Sequence, residues 1–323
     1  MGRRRRGARR GDDRRQEPAL PGGHDDRPVL RRSYRSKTAG GLDFEHQLLA
    51  HPAARGFPAP EVVPTRGGRT WLEADGRLHT LTAFVRGTPP TSDDGAQVVE
   101  MARWLARYHR LARTFRPTVA VPPPQSMMAS LRERLESLVA AGAGEQATLL
   151  AVDAGFVLER GWEAHEVLER RAPERPHLVI HAGCRRGSVG IEGGDVKVIL
   201  DFDSSHEDAR VVDLVVAVHD YAKVYGDPES DAYKVPLDLT VAGTFLQAYE
   251  EEIDEPLTSA EIEALPAFLT AKRLKRGLGR FERAARGEPL SIGDVRKIAL
   301  ELARVRWLHT YRDALQDLLG AGV

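Results

Sequence analysis

Residues 177–213 read HLVIHAGCRRGSVGIEGGDVKVILDFDSSHEDARVVD, the most informative part of the chain. Two apolar runs, HLVIH and VKVILDF, are typical of buried strands, and they bracket a polar loop. Asp201 and Asp203 stand at the end of the second run. Carboxylates on a rigid strand end are the hard oxygen ligands that Mg²⁺ prefers, although an Asp that only caps the next turn is the alternative. The stretch predicts a strand–loop–strand core with a candidate metal site.

The composition of the chain is typical of a globular protein with one unusual end. Its 323 residues carry 47 basic and 47 acidic side chains, yet the first 35 residues hold twelve arginines and five acidic residues. Residues 1–27 bury too little apolar surface to offset the entropy of ordering, which predicts a disordered tail. The single cysteine, Cys184, excludes an internal disulfide and a multi-cysteine metal site. No run reaches the roughly 18 apolar residues of a membrane span, so a soluble cytoplasmic protein is expected.

The pattern along the chain divides it into three segments. A disordered tail at 1–27 precedes a small β-rich lobe at 28–87, and a mainly helical lobe at 88–323 contains the core at 177–213. The Gly- and Pro-rich run at 87–90 punctuates the chain and is a natural lobe boundary. The organisation is therefore α+β.

Local signals support this division. In the small lobe, a strand at VLRR and a helix at DFEHQLL precede two alternating runs that Asp75-Gly76 separates. Asp-Gly between alternating runs is a hairpin signal. In the helical lobe, the apolar residues of VVEMARWLARYHRLAR recur at helical spacing, and Thr258 with Glu261 forms a plausible capping pair for a later helix.

The order of these elements resembles the aminoglycoside phosphotransferase and choline kinase-like family, which are small-molecule kinases with the protein kinase fold. In that family the loop reads H-G-D-x-H-x-x-N and the second strand ends in I-D-F or I-D-W. His181 and the triplet 201–203 keep this frame. VLRR, FEHQLLAHPAARGFPAPEV, FVRGTPP, ARWLARYHRLA and DLVVAV match further elements in the same order. The resemblance implies a bilobal protein-kinase-like fold, with a small β-rich N-lobe, a larger helical C-lobe and nucleotide bound between them.

The resemblance also implies roles for charged residues. Arg31 would be the cation on the nucleotide phosphates, with Arg32 as a rival, and Glu45 would pair with that cation. Asp201 would bind Mg²⁺, and Asp203 would be a second or water-mediated ligand. An exposed strand arginine and a solvated helix glutamate are the alternatives for Arg31 and Glu45.

The loop departs from the family where its chemistry resides. His181 would shape the loop and Asp213 would steady it, as in the family. Gly183 stands at the position of the catalytic Asp, and Ser188, a weak metal ligand, stands at that of the metal-binding Asn. Arg185 replaces the family's second histidine. The glycine-containing phosphate loop before the VLR strand also lacks a counterpart.

These departures lead to three hypotheses. Glycine cannot accept the hydroxyl proton, so we expect a kinase-like protein with impaired or lost ATP-dependent transfer, acting as a binding or regulatory pseudokinase. Because the transition state is loose, the alternative is an active ATP- and Mg²⁺-dependent phosphotransferase acting on a hydroxyl of a sugar, amino alcohol or aminoglycoside-like compound. The third and least favoured hypothesis is a nucleic-acid binder that uses the Arg-rich tail.

Overall fold

The computed structural model describes residues 28–122, 127–140, 151–224, 230–286 and 288–320. The predicted tail at 1–27, and with it the prediction of nucleic-acid binding, lies outside these residues. Within the described ranges, no helix combines the length and the apolar character that crossing a membrane requires.

A small antiparallel sheet begins the described chain. It contains β1 (Val29–Tyr34), β2 (Leu72–Ala74) and β3 (Arg77–Ala83) in the order β1-β3-β2. Asp75 and Gly76 link β2 to β3 with φ values of 52 and 66. Two successive positive φ values are what a tight hairpin turn needs, and Asp and Gly adopt them at low cost. The predicted hairpin is confirmed.

Helix α1 (Ala39–Ala53) follows β1 along the chain. The Thr38 hydroxyl accepts a hydrogen bond from the Gly41 N–H at 3.1 Å, which satisfies one of the unpaired donors at the helix start. The buried apolar residues of α1 include Leu42, Phe44, Leu48 and Leu49. The predicted apolar face of this helix is therefore confirmed.

Helices make up most of the chain beyond the sheet, because apolar residues recur there at helical spacing. They are α2 (Gly95–Ala112), α3 (Met127–Ala140), α4 (Ala151–Arg170), α5 (Val211–Tyr221), α6 (Leu239–Glu252), α7 (Ser259–Ala285), α8 (Ile292–Thr310) and α9 (Arg312–Gly320). The predicted cap of α7 is present. The Glu261 N–H donates to the Thr258 hydroxyl at 3.2 Å, and the Thr258 N–H donates to the Glu261 carboxylate at 2.9 Å.

Two strand pairs lie within the helical part. β4 (His177–Ile180) pairs antiparallel with β7 (His206–Ala209), and β5 (Val189–Glu192) pairs with β6 (Asp195–Ile199). Gly193-Gly194 joins β5 to β6 with φ values of 64 and 89, which glycine adopts readily. The two predicted strands are β4 and β6, and each pairs with a strand that the sequence pattern did not single out.

The segment after the small sheet touches β5 through its backbone. Thr88 and Ile191 exchange backbone hydrogen bonds of 2.9 and 2.8 Å. A Cβ at Gly87 would lie 2.7 Å from backbone atoms of Gly190, so this close approach requires glycine. The contact lies at the predicted lobe boundary of residues 87–90, and the domain boundaries themselves stay predictions.

Arg210, immediately before α5, is buried and hydrogen-bonded on several sides. Its Nε and Nη2 donate to the two carboxylate oxygens of Glu261 at 2.7 and 2.9 Å. Its Nη1 and Nη2 also donate to the carbonyl oxygens of Glu255 and Pro256 at 3.0 and 2.8 Å. This planar two-bond pairing ties the start of α5 to α7.

We expect Arg210→Met to lower the free energy of unfolding by about 3–5 kcal/mol, because it leaves a buried carboxylate without its cation. Arg113→Met is the matched control, since Arg113 pairs with Glu255 and these side chains are 41% and 51% exposed. Removing an exposed pair costs about 1 kcal/mol or less. Urea unfolding measures the stability of both variants. Equal unfolding midpoints for the two variants would contradict the stabilising role given to the buried pair of Arg210 and Glu261.

Candidate active site

The polar loop after β4 is held by one buried carboxylate, that of Asp213 in α5. The His181 N–H donates to Asp213 Oδ2 and the Ala182 N–H donates to Oδ1, both at 2.7 Å. Ala182 has a φ of 60, a left-handed conformation that is uncommon for a residue with a side chain. The two charge-assisted bonds stabilise this conformation, and they match the supporting part that the resemblance implies for Asp213.

Asp213 has a third partner on α2. Nε2 of His109 lies 3.2 Å from Asp213 Oδ2, and the Tyr249 hydroxyl lies 2.7 Å from His109 Nδ1. Because a carboxylate only accepts hydrogen bonds, Nε2 carries the proton. Burial alone would raise the pKa of Asp213, but the hydrogen bond and charge of His109, with the contribution of His181, hold that pKa below its usual value.

The His181 side chain packs inside the protein. Its ring centroid lies 4.4 Å from that of Phe202 and 5.9 Å from that of Tyr108. Its Nδ1 accepts a hydrogen bond from the Gly183 N–H at 3.1 Å. Burial lowers the pKa of His181, so the ring is neutral near pH 7. These contacts support the prediction that His181 shapes the loop.

The Ser188 hydroxyl is engaged within the loop. It lies within donor distance of the carbonyl oxygens of Gly183 and Arg185, at 2.7 and 2.8 Å, and accepts from the Arg185 N–H at 3.1 Å. A hydroxyl has one proton and two lone pairs, so these contacts use most of its capacity. The oxygen that was predicted as a weak metal ligand therefore stabilises the loop here.

The base position, Gly183, lies against the end of β6. A Cβ at this position would be 3.2 Å from the Asp201 carbonyl oxygen and 3.4 Å from the His181 ring. At such distances a neighbour must shift by a few tenths of an ångström to admit a side chain. The loop and the strand end thus meet, but only glycine fits without adjustment.

Asp201 pairs with an arginine of β1. Its φ of 67 and ψ of 45 are left-handed, which Asp tolerates better than most residues. Arg32 Nη2 donates to Asp201 Oδ1 at 2.8 Å. Side chains alternate across a strand, and Arg31 borders a different cavity on the other face of the sheet. The rival Arg32, rather than the predicted Arg31, is the arginine of β1 that faces the site.

Glu45 faces inward from α1, as predicted, but its cation is Lys37. The Lys37 ammonium donates to the Glu45 carboxylate and, at 3.1 Å, to the carbonyl oxygen of Asp203. Glu45 is 4% exposed, and burial raises its pKa against the charge of Lys37. The predicted pairing of Glu45 with Arg31 is therefore corrected. A usable signal existed, since Lys37 is the only lysine in residues 28–87.

The space beside Asp201 is small. A cavity of about 20 Å³, bordered by Arg32, Tyr34, Glu45 and Asp201, has room for about one water molecule. Burial and the charge of Glu45 raise the pKa of Tyr34 to about 12, so its hydroxyl is neutral at pH 7.

The donor set for a metal is correspondingly limited. Within the described ranges, no group of three or more His, Cys, Asp or Glu side chains could hold a metal ion. Mg²⁺ can be bound by one or two carboxylates together with phosphate oxygens. Asp201 and the exposed Asp203 could supply those carboxylates, although Arg32 already engages Oδ1 of Asp201. Two carboxylates are therefore available for Mg²⁺ bound with ATP, but one of them is already paired with an arginine.

Positively charged side chains lie at and near Arg185 and Arg186 of the loop. The Arg186 N–H donates to the Asp220 carboxylate at 2.9 Å. Burial, followed by the charges of Arg185 and Arg276, lowers the pKa of Lys272 in α7 to about 7. Because these groups repel further positive charge, this side of the loop suits an anionic ligand.

A loop held by a buried carboxylate lies beside a strand-ending Asp, an arginine of the small sheet and an inward helix Glu, which is the arrangement of the protein-kinase-like fold. The chain belongs to the phosphotransferase enzyme family (APH), whose profile matches residues 21–258.

Three similar proteins illustrate the family. Over 72% of its length the chain is 28% identical to the homoserine kinase of Methylobacillus flagellatus, and it covers 66% of that protein, just under two thirds. The aminoglycoside phosphotransferase of Alicyclobacillus acidocaldarius matches with a TM-score of 0.68 at 15% identity, covering 94% of this chain and 93% of that one. A choline/ethanolamine kinase family protein of Mesorhizobium loti matches with a TM-score of 0.55 at 12% identity, covering 90% and 85%. The predicted α+β, protein-kinase-like fold is confirmed.

We expect Asp213→Asn to lower the free energy of unfolding by about 1.5–3 kcal/mol, since an amide cannot accept from both backbone N–H groups and from His109. The lowered pKa of Asp213 means that its contribution is present above the unfolded-state value of about 3.9 and is lost as the pH falls below it. Urea midpoints of wild type and variant should therefore converge below about pH 4. A difference between the two urea midpoints that stays constant down to low pH would contradict this account.

Proposed function

We propose that the chain is a kinase-fold protein whose ATP-dependent phosphoryl transfer is impaired or lost, and that it acts by binding a small molecule. One observation carries the proposal: Asp213 still holds the loop, yet the residue at the base position is Gly183. Glycine cannot take the proton from an acceptor hydroxyl. Loss of such help slows transfer by roughly 10²–10⁴-fold.

The metal side of the site supports the same proposal. Arg32 neutralises Asp201 at 2.8 Å, and the Ser188 hydroxyl is engaged inside the loop. A carboxylate whose negative charge a guanidinium already compensates attracts a further cation less strongly. Binding of Mg²⁺ therefore has to compete with an ion pair already formed within the protein.

An active small-molecule kinase is the second candidate, and the likeness to the Methylobacillus homoserine kinase favours it. Homoserine combines a hydroxyl with a carboxylate, and the cations near Arg185 and Lys272 would suit the carboxylate. In this candidate ATP with Mg²⁺ is the donor. Asp201 and Asp203 would hold the metal once Arg32 had turned from Asp201 to the phosphates.

A thermal-shift comparison of ATP with Mg²⁺ against ATP with EDTA tests the proposal. With ATP present, we expect Mg²⁺ to leave the melting temperature of wild type unchanged. In Arg32→Ala, Mg²⁺ should raise the melting temperature, because that change frees the Asp201 carboxylate. A site filled at 100 times its Kd adds about 2.7 kcal/mol of stability. Arg31→Ala, on the other face of the sheet, is the matched control and should behave as wild type does. A Mg²⁺-dependent increment in wild type that Asp201→Ala abolishes would favour the active kinase.

Restoring the missing groups is the complementary test. We expect Gly183→Asp with Ser188→Asn to raise ATP turnover with homoserine by about 10²-fold or more. Asp213 still holds the loop, and the end of β6 has to shift by only a few tenths of an ångström to admit the new side chain. Gly187→Asp with Ser188→Asn is the matched control, since Gly187 is in the same loop and a Cβ there meets nothing within 4 Å. Coupled ADP release measures the rates. Wild-type turnover of about 1–100 s⁻¹ would overturn the proposal.

A further inference from the structure

The face of the small sheet that points away from Asp201 borders a large cavity. Its volume is about 940 Å³, within the range of roughly 300–1,000 Å³ that small-molecule sites occupy. Residues that line it include Arg35, Val63, Arg66, Trp71, Arg77 and Leu81. Side chains alternate along β1, so the Asp201 side of the sheet carries Leu30, Arg32 and Tyr34. The cavity side carries Arg31 and Ser33. The sheet therefore separates this cavity from the candidate active site.

The charge at the cavity wall is strongly positive. Arg35, Arg66 and Arg77 line it, and none of them forms an ion pair or hydrogen bond through its guanidinium with another residue in the described part of the chain. Asp75 is the one carboxylate among the described lining residues. Guanidinium groups bind phosphate through paired N–H donors, and several of them around one concave space raise the local concentration of anions.

Polar and aromatic groups complete the site. Ser33 and His79 face each other across β1 and β3, and Ser33 Oγ and His79 Nδ1 are buried without a hydrogen-bond partner. Both residues line the cavity. The Trp71 indole N–H donates to Asp43 at 2.7 Å, which fixes the orientation of the ring. A fixed aromatic ring beside unpaired guanidinium groups suits a ligand that has both a flat ring and phosphates.

We propose that this cavity binds a nucleotide, held through its phosphates by Arg66 and Arg77 and through its base beside Trp71, independently of Mg²⁺ and of the transfer loop. Such a site is distinct from the space between the lobes, where Asp201 would act through a metal. It gives the small lobe a binding function that does not depend on the missing base.

Titration calorimetry of the full chain with ADP in EDTA tests this site, with inorganic pyrophosphate as a second probe. ADP should bind, and pyrophosphate should bind more weakly because it lacks the ring. Arg66→Ala with Arg77→Ala should weaken ADP binding by at least about tenfold, since two charge-assisted contacts are lost. Arg69→Ala is the matched control, because Arg69 lies in the same segment but is not among the lining residues. The affinity of this variant for ADP should stay within about twofold of the wild-type affinity.

Two further readouts keep the test decisive. ADP should change tryptophan fluorescence in wild type and not in Trp71→Phe, which reports on the cavity even if the double variant unfolds. Gly187→Asp adds a negative charge to the transfer loop where a Cβ meets nothing within 4 Å, and this variant should bind ADP in EDTA as wild type does. Absence of ADP binding at millimolar concentration would overturn the proposal. So would equal losses in the double variant and in Arg69→Ala, or loss of binding in Gly187→Asp.

Discussion

The buried carboxylate of Asp213 is the interaction on which the site depends. It accepts two loop N–H groups at 2.7 Å and lies 3.2 Å from His109, so residues of α2, α5 and the loop share one charge. A buried charge is tolerated only when its hydrogen-bonding capacity is met, which makes these parts interdependent. Arg210, three residues earlier, ties the same helix start to α7 through Glu261. A short stretch of chain thus fixes the loop against the helical lobe.

The groups that the resemblance assigns to positioning the loop are present, whereas the position it assigns to the base is a glycine. Asp213, His181 and the inward Glu45 have partners of the expected kind, whereas Gly183 offers no side chain. Positioning groups also stabilise the fold, so their loss carries a cost whether or not the protein catalyses anything. A catalytic base makes no such contribution. Selection for stability alone would therefore retain the scaffold whether or not a base were present.

The sequence allowed the loop and its support to be predicted because their contacts follow the local order of the motif. The sequence could not distinguish Arg31 from Arg32. In VLRR two apolar residues are adjacent, so the pattern does not show which alternate residues of the strand face the site. A shift of one residue moves every side chain to the other face. Lys37 was missed for a related reason: its contact with Glu45 depends on the path of the chain between β1 and α1. Such a path is set by tertiary packing and has no periodic signal.

The alternation of β1 also gives its arginines different surroundings. Arg32 meets the Asp201 carboxylate in a space of about 20 Å³, while Arg35 borders a cavity of about 940 Å³ that has one carboxylate among its described lining residues. On the first side the positive charge is compensated within the protein, and a ligand must displace that contact. On the second side the guanidinium groups of Arg35, Arg66 and Arg77 have no partner in the described chain, so an anion would gain their full attraction. The anion binding proposed for the second side would therefore not depend on the groups that surround Asp201 on the first side.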